Sequence, residues 1–138
     1  MTGQGSRMPT PPSTSRRVLV AEDELLIALT IETELTDAGH SVVGPFSSCS
    51  DAERWLATDT PDVAVLDIQL SDGPCIELAL DLQRRGVPFV VLTGHPLDYV
   101  APVFARAPMV EKPASLDRLA GIVSGLGLGF PRHPDGNV

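Results

Sequence analysis

Short runs rich in β-branched and aliphatic residues recur at 18–21, 41–44, 63–66, 88–92 and 109–111, and segments of helical spacing separate them. This alternation is the strongest constraint on the fold. Strands joined by helical crossovers run parallel, because each crossover returns the chain to the same end of the sheet, and the helices then cover both faces. The runs are almost purely apolar, as strands buried on two sides must be. The reading is an α/β domain built on a doubly wound five-stranded parallel sheet.

The intervening segments support this. Leu25, Ala28, Leu29, Ile31 and Leu35 follow the 3.6-residue period and are expected to face inward, with Gly39 as the stop. Residues 49–58 read as a second helix with Ala52, Trp55 and Leu56 inward. Pro74 is expected to open a third helix running to Gly86, since proline is accepted in a first turn. Ser115 is expected to cap a last one carrying Leu116, Leu119, Ile122 and Val123. Pro96, Pro102 and Pro108 break the stretch between the fourth and fifth runs, which predicts a short, irregular fourth helix. Residues 1–15 (MTGQGSRMPTPPSTS) are Gly, Ser, Thr and Pro with little apolar content and read as a disordered leader. The folded domain is expected over 16–128, with a flexible tail at 129–138.

Composition narrows the function. A net charge of −8 disfavours nucleic acid, which needs a concentrated basic face. No apolar stretch approaches the roughly 18 residues of a membrane span, and no apolar h-region follows the N-terminus, so the expectation is a cytoplasmic protein without membrane partners. Cys49 and Cys75 lack CxxC spacing and are expected to be buried or idle thiols, not a disulfide or zinc site.

In parallel sheets of this kind, sites lie outside the carboxyl ends of the strands, near the switch in strand order. Asp23 falls just past the first run, Asp67 past the third, Thr93 past the fourth and Lys112 past the fifth. Lys112 is the only lysine among ten basic residues, and lysine is a compact point charge where arginine is a planar fork. Carboxylates brought together repel, and a divalent cation resolves the repulsion. Mg²⁺ takes oxygen ligands, commonly one or two carboxylates beside phosphate oxygens. Asp23 and Asp67 are the candidate direct ligands, with the backbone carbonyl of Gln69 as a third and Glu22 holding a metal-bound water. Asp67 is also the candidate nucleophile, since a carboxylate can accept a phosphoryl group as an aspartyl-phosphate. Lys112 would spread charge over the transferring group, and Thr93 would meet it with a hydroxyl. By itself Glu22-Asp23-Glu24 reads better as an acidic first helical turn complementing the helix dipole, and beside Asp67 and Lys112 that reading explains it only in part.

The segments VLVAEDE at 18–24, VAVLDIQLSDG at 63–73, VPFVVLTGHP at 87–96 and APMVEKP at 107–113 resemble the receiver domains of bacterial response regulators. The resemblance spans about residues 16–127 and is nearest to stand-alone receivers of alphaproteobacteria. It implies a flavodoxin-like (βα)5 fold, Glu22 and Asp23 as the acidic pair, Asp67 as phosphoacceptor, Thr93 as switch hydroxyl and Lys112 as the family's lysine. It further implies Mg²⁺, a sensor histidine kinase or histidine phosphotransfer protein as phosphodonor, and a downstream protein partner. No enzymatic activity beyond self-catalysed phosphotransfer and autodephosphorylation is implied. Two departures stand out. Met109 occupies a position where the family often has an aromatic that couples to the Thr, and residues 129–138 are too short for an output domain.

Two rival readings stay open: a Mg²⁺-dependent phosphohydrolase with an aspartyl intermediate, and a receiver-like binding module independent of phosphorylation. The first commonly needs an acid two residues after the nucleophile, where this chain has Gln69. His40 reads as an edge or loop histidine, His95 as a solvated loop residue near the site, and His133 lies in the tail.

Overall fold

The computed structural model describes residues 15–94, 101–113 and 115–126. The leader up to Thr14, His95, Pro96 and the tail with His133 lie outside the described residues. Five strands, β1 (Arg17–Ala21), β2 (Ser41–Phe46), β3 (Val63–Asp67), β4 (Phe89–Thr93) and β5 (Met109–Glu111), form one parallel sheet in the order β2-β1-β3-β4-β5. The helices are α1 (Leu25–Asp37), α2 (Cys49–Leu56), α3 (Ile76–Arg84) and α4 (Leu119–Gly125). Between β4 and β5 the described residues hold a single 3-10 turn, Pro102–Phe104, as the prolines required.

Alternating side chains divide the core in two. Leu19, Ala21, Ala64, Leu66, Phe89 and Val91 pack against α2, α3 and Phe104. Val18, Val20, Val63, Val65, Val90 and Leu92 pack against α1 and α4. Every residue of β3 and β4 is buried, which is why those runs read as unbroken apolar text. The chain winds from β1 outward to β2 and then crosses to β3 on the other side. The carboxyl ends of β1 and β3 therefore flank the switch point, and Asp23 and Asp67 follow from them. No helix among the described residues is long and apolar enough to cross a membrane.

Several local expectations are corrected. Only Ala28, Ile31 and Leu35 of α1 are buried, whereas Leu25, Leu26 and Leu29 are 71%, 77% and 50% exposed. Apolar residues cover more of this helix than the sheet has room to bury. Helix α3 begins at Ile76, not at Pro74, because Cys75 takes a left-handed conformation at its N-cap. Ser48 caps α2 by accepting from Asp51 N–H at 3.1 Å. Ser115 makes no side-chain cap and precedes a 3-10 turn, Leu116–Arg118, before α4. Cys49 and Cys75 are joined in a disulfide, so the expectation of idle thiols fails. The first residue of α2 and the N-cap of α3 stand side by side, with Cα atoms 5.3 Å apart.

His40 stands in the connection just before the edge strand β2, as expected, but its side chain is buried. Its Nδ1 accepts from Arg16 N–H at 3.0 Å, which leaves the proton on Nε2, 2.9 Å from Ser124 Oγ. The ring thus ties the start of β1 to α4. Burial, then the Arg16 charge, hold its pKa below the ordinary value. A histidine with a depressed folded pKa adds stability above its unfolded pKa of about 6.5 and loses it as pH falls toward the folded value. Urea midpoints should therefore drop more between pH 7.5 and 5.5 in the wild type than in His40→Gln; equal drops would refute the tie.

Gly44 is required by close approach. At φ +103° an added Cβ would lie 2.8 Å from Phe46 N and 2.9 Å from Val20 O. The irregularity in the β1–β2 register here lets Phe46 O accept from Glu22 N–H at 2.9 Å, which fixes the start of the acidic segment. Gly44→Ala should lower stability by about 2 kcal/mol or more in urea unfolding. A loss under half that value would mean the bulge relaxes freely.

Candidate functional site

The lysine expected at the fifth strand end reaches back across the sheet. β5 is short and among the described residues pairs only with β4, and Lys112 N–H continues that ladder by donating to Thr93 O at 2.7 Å. The side chain then spans to the carboxyl ends of β3 and β1. Its Nζ lies 3.0 Å from Asp67 Oδ2, 3.0 Å from Glu22 Oε1 and 2.9 Å from Glu24 Oε1. The carboxylates of Glu22 and Asp67 are almost fully buried, whereas that of Glu24 is 62% exposed. An ammonium has three N–H donors, so these three acceptors saturate it.

Two backbone donors hold the buried acids. Glu24 N–H donates to Glu22 Oε2 at 2.9 Å and Gln69 N–H to Asp67 Oδ1 at 2.8 Å. Glu22 is raised above the usual carboxylate range, first by burial and also by the Asp67 charge, against the hydrogen bonds from Glu24 N–H and Lys112. Burial alone would lower the Lys112 pKa, but its bonds to Glu24, Asp67 and Glu22 outweigh this and raise it. The ammonium is firmly charged at neutral pH.

Glu22, Asp23 and Asp67 each offer a carboxylate oxygen, all within 4.8 Å of one another. With Glu24 included, four acids face one ammonium, so negative charge is left over. An all-oxygen donor set with surplus negative charge fits a hard divalent cation such as Mg²⁺. The side-chain Oε1 of Gln69 accepts from Gly94 N–H at 3.2 Å, bridging the loops after β3 and β4. Thr93 is buried at the end of β4, and Met109, at the start of β5, is 39% exposed.

The sequence-derived residues Glu22, Asp23, Asp67 and Lys112 thus converge, with Thr93 and Gln69 on the adjoining strand end and loop. The sequence did not assign Glu24 its bond to Lys112, although the residue stood in the acidic cluster. Nor did it reveal Asp72, which closes the loop after β3 onto α2. Its Oδ1 accepts from Cys49 N–H at 2.9 Å and its Oδ2 from Ser50 N–H at 3.2 Å, and the bond from Cys49 N–H is the main cause holding it below the usual carboxylate range. Only the acid's place in a polar turn signalled that contact.

A family model of the response regulator receiver domain matches residues 18–124. The transcriptional regulatory protein PdtaR of Mycobacterium tuberculosis is 28% identical over 109 residues, which are 78% of this chain and 49% of the relative. Among solved structures, the PhyR stress response regulator superposes with a TM-score of 0.67 at 30% identity, covering 81% of this chain and 45% of that one. The BeF3-activated conformation of SdrG from Pseudomonas melonis gives a TM-score of 0.66 at 31% identity, over 78% of this chain and 92% of SdrG. The chain spans about half the length of the curated relative PdtaR.

Proposed function

Given that this chain belongs to the response regulator receiver domain family, we propose that it is a phosphorylation-dependent signalling module whose phosphoacceptor is Asp67. The observation that carries this is the pairing of buried Asp67 with Lys112 at 3.0 Å, at the switch point and beside Glu22 and Asp23. The receiver unit would occupy residues 16–128. The donor in this reading is a sensor histidine kinase or histidine phosphotransfer protein. An Asp67 carboxylate oxygen attacks phosphorus, the O–P bond forms as the P–N bond breaks, and the imidazole leaves with its electron pair.

Asp23 and Asp67, with the Gln69 carbonyl and Glu22 through water, would hold Mg²⁺, which supplies charge neutralisation to the transferring group. Lys112 holds a fixed positive charge against the same oxygens, and Thr93 offers its hydroxyl as the switch. Leu25, Leu26 and Leu29 give a donor protein apolar surface on α1, just after the acidic segment. Output would pass to a downstream protein, or the phosphoryl group would be shuttled between histidine proteins. A phosphohydrolase is disfavoured because the amide of Gln69 is no general acid.

Incubation with Mg²⁺ and acetyl phosphate, followed by intact mass, tests the reading. The wild type should gain one phosphoryl group and Asp67→Asn none. A gain retained in Asp67→Asn assigns the acceptor elsewhere.

A further inference from the structure

In the free protein all three donors of Lys112 are engaged, by Glu22, Asp67 and Glu24. A phosphoryl group on Asp67 therefore cannot reach Lys112 until one partner leaves. Glu22 is a poor candidate, because its carboxylate is buried and would be left without its cation. Where the phosphoryl group joins Asp67 through Oδ1, Oδ2 keeps its bond to Lys112. Glu24 is exposed to water and can be rehydrated at little cost once released.

The position of Glu24 points the same way. It is the N-cap of α1, and its carbonyl accepts from Ala28 N–H at 2.8 Å. Its side chain caps nothing, although an acid there has orphan helix donors within reach. It turns to Lys112 instead.

We propose that Glu24 is a positioning residue that holds the third donor of Lys112 in place of the phosphoryl oxygen and is displaced by it. The inference rests on Asp67 being the acceptor. Glu24 keeps the ammonium aimed into the site before phosphorylation and opposes phosphoryl binding by the strength of its own bond.

The test is the affinity of the full chain for beryllofluoride at saturating Mg²⁺, followed by NMR, in the wild type, Glu24→Gln, Glu24→Ala and Glu24→Asp. Mg²⁺ affinity is measured separately. Each variant should bind the phosphoryl mimic roughly twofold to fivefold more tightly, the reach of an exposed ion pair. None should bind Mg²⁺ more tightly. Aspartate keeps the charge but falls short of the 2.9 Å contact. If Glu24→Asp matches the wild type while Glu24→Gln binds more tightly, through-space charge is responsible and the displaced bond is refuted. Unchanged or weakened affinity in all three also overturns the proposal. Should Glu24→Ala fail to fold, the isosteric Glu24→Gln and the charge-retaining Glu24→Asp decide. A wild type that neither gains phosphoryl mass nor binds beryllofluoride instead refutes Asp67 as acceptor, which is a different failure.

Discussion

Lys112→Ala should destabilise the metal-free protein by about 3 kcal/mol, the lower end of what breaking a buried ion pair costs. Among the described residues, Lys112 is the one cation paired with Glu22 and Asp67, whose carboxylates are nearly sealed from water. Removing it leaves like charges facing one another in a setting that already pushes Glu22 upward. The lower end applies because Asp23 and Glu24 open the site to solvent on one side. Mg²⁺ at about a hundred times its dissociation constant should restore about 2.7 kcal/mol by mass action. Lys112→Arg should recover part of the stability yet impair phosphoryl uptake, since a planar fork does not copy one ammonium bonded three ways. Urea unfolding with chelator and with Mg²⁺ measures both effects. A Lys112→Ala midpoint equal to the wild type in chelator would mean that the acids are stabilised by something else.

Reduction of the Cys49–Cys75 disulfide should cost about 3 kcal/mol, because the bond closes a loop between residues 26 apart in sequence and so restricts the unfolded chain. Cys49→Ser combined with Cys75→Ser should show the same loss without reductant, and reductant should then add nothing. A local effect follows as well. The disulfide and the Asp72 carboxylate both fasten the start of α2 to the loop that leaves Asp67. Amide exchange of residues 69–74 should therefore quicken on reduction. No change in unfolding midpoint or in loop exchange would show that the link constrains nothing that the packing does not already hold.

The parts legible in the sequence are those governed by one-dimensional patterns. Apolar runs of strand length gave the sheet, and strand-end geometry gathered Asp23, Asp67, Thr93 and Lys112 without any knowledge of distances. The misreadings arose where two segments distant in sequence meet. Leu25 and Leu29 satisfy a helical period, but the sheet below buries only the stripe of Ala28, Ile31 and Leu35. The cysteine spacing carried no sign that two helix starts adjoin. The burial of His40 beside the edge strand was hidden because Ser124, its partner on α4, is 84 residues away. Glu24 was hidden by its neighbours: an acid in a run of acids at a helix start already has an explanation.

One consequence follows from where the ammonium hangs. Among the described residues β5 is the shortest strand, at three residues, and lies at the sheet edge, bonded on one side only. Its last ladder bond is made by Lys112, whose far end is moored to β1, β3 and the start of α1. Fraying of the edge strand and release of the lysine are therefore a single local opening equilibrium. Whatever tightens the grip on Nζ should slow amide exchange at Val110 and Lys112 by the same free energy, and whatever loosens it should speed that exchange. The edge of the sheet is thus a gauge of the chemistry at its centre.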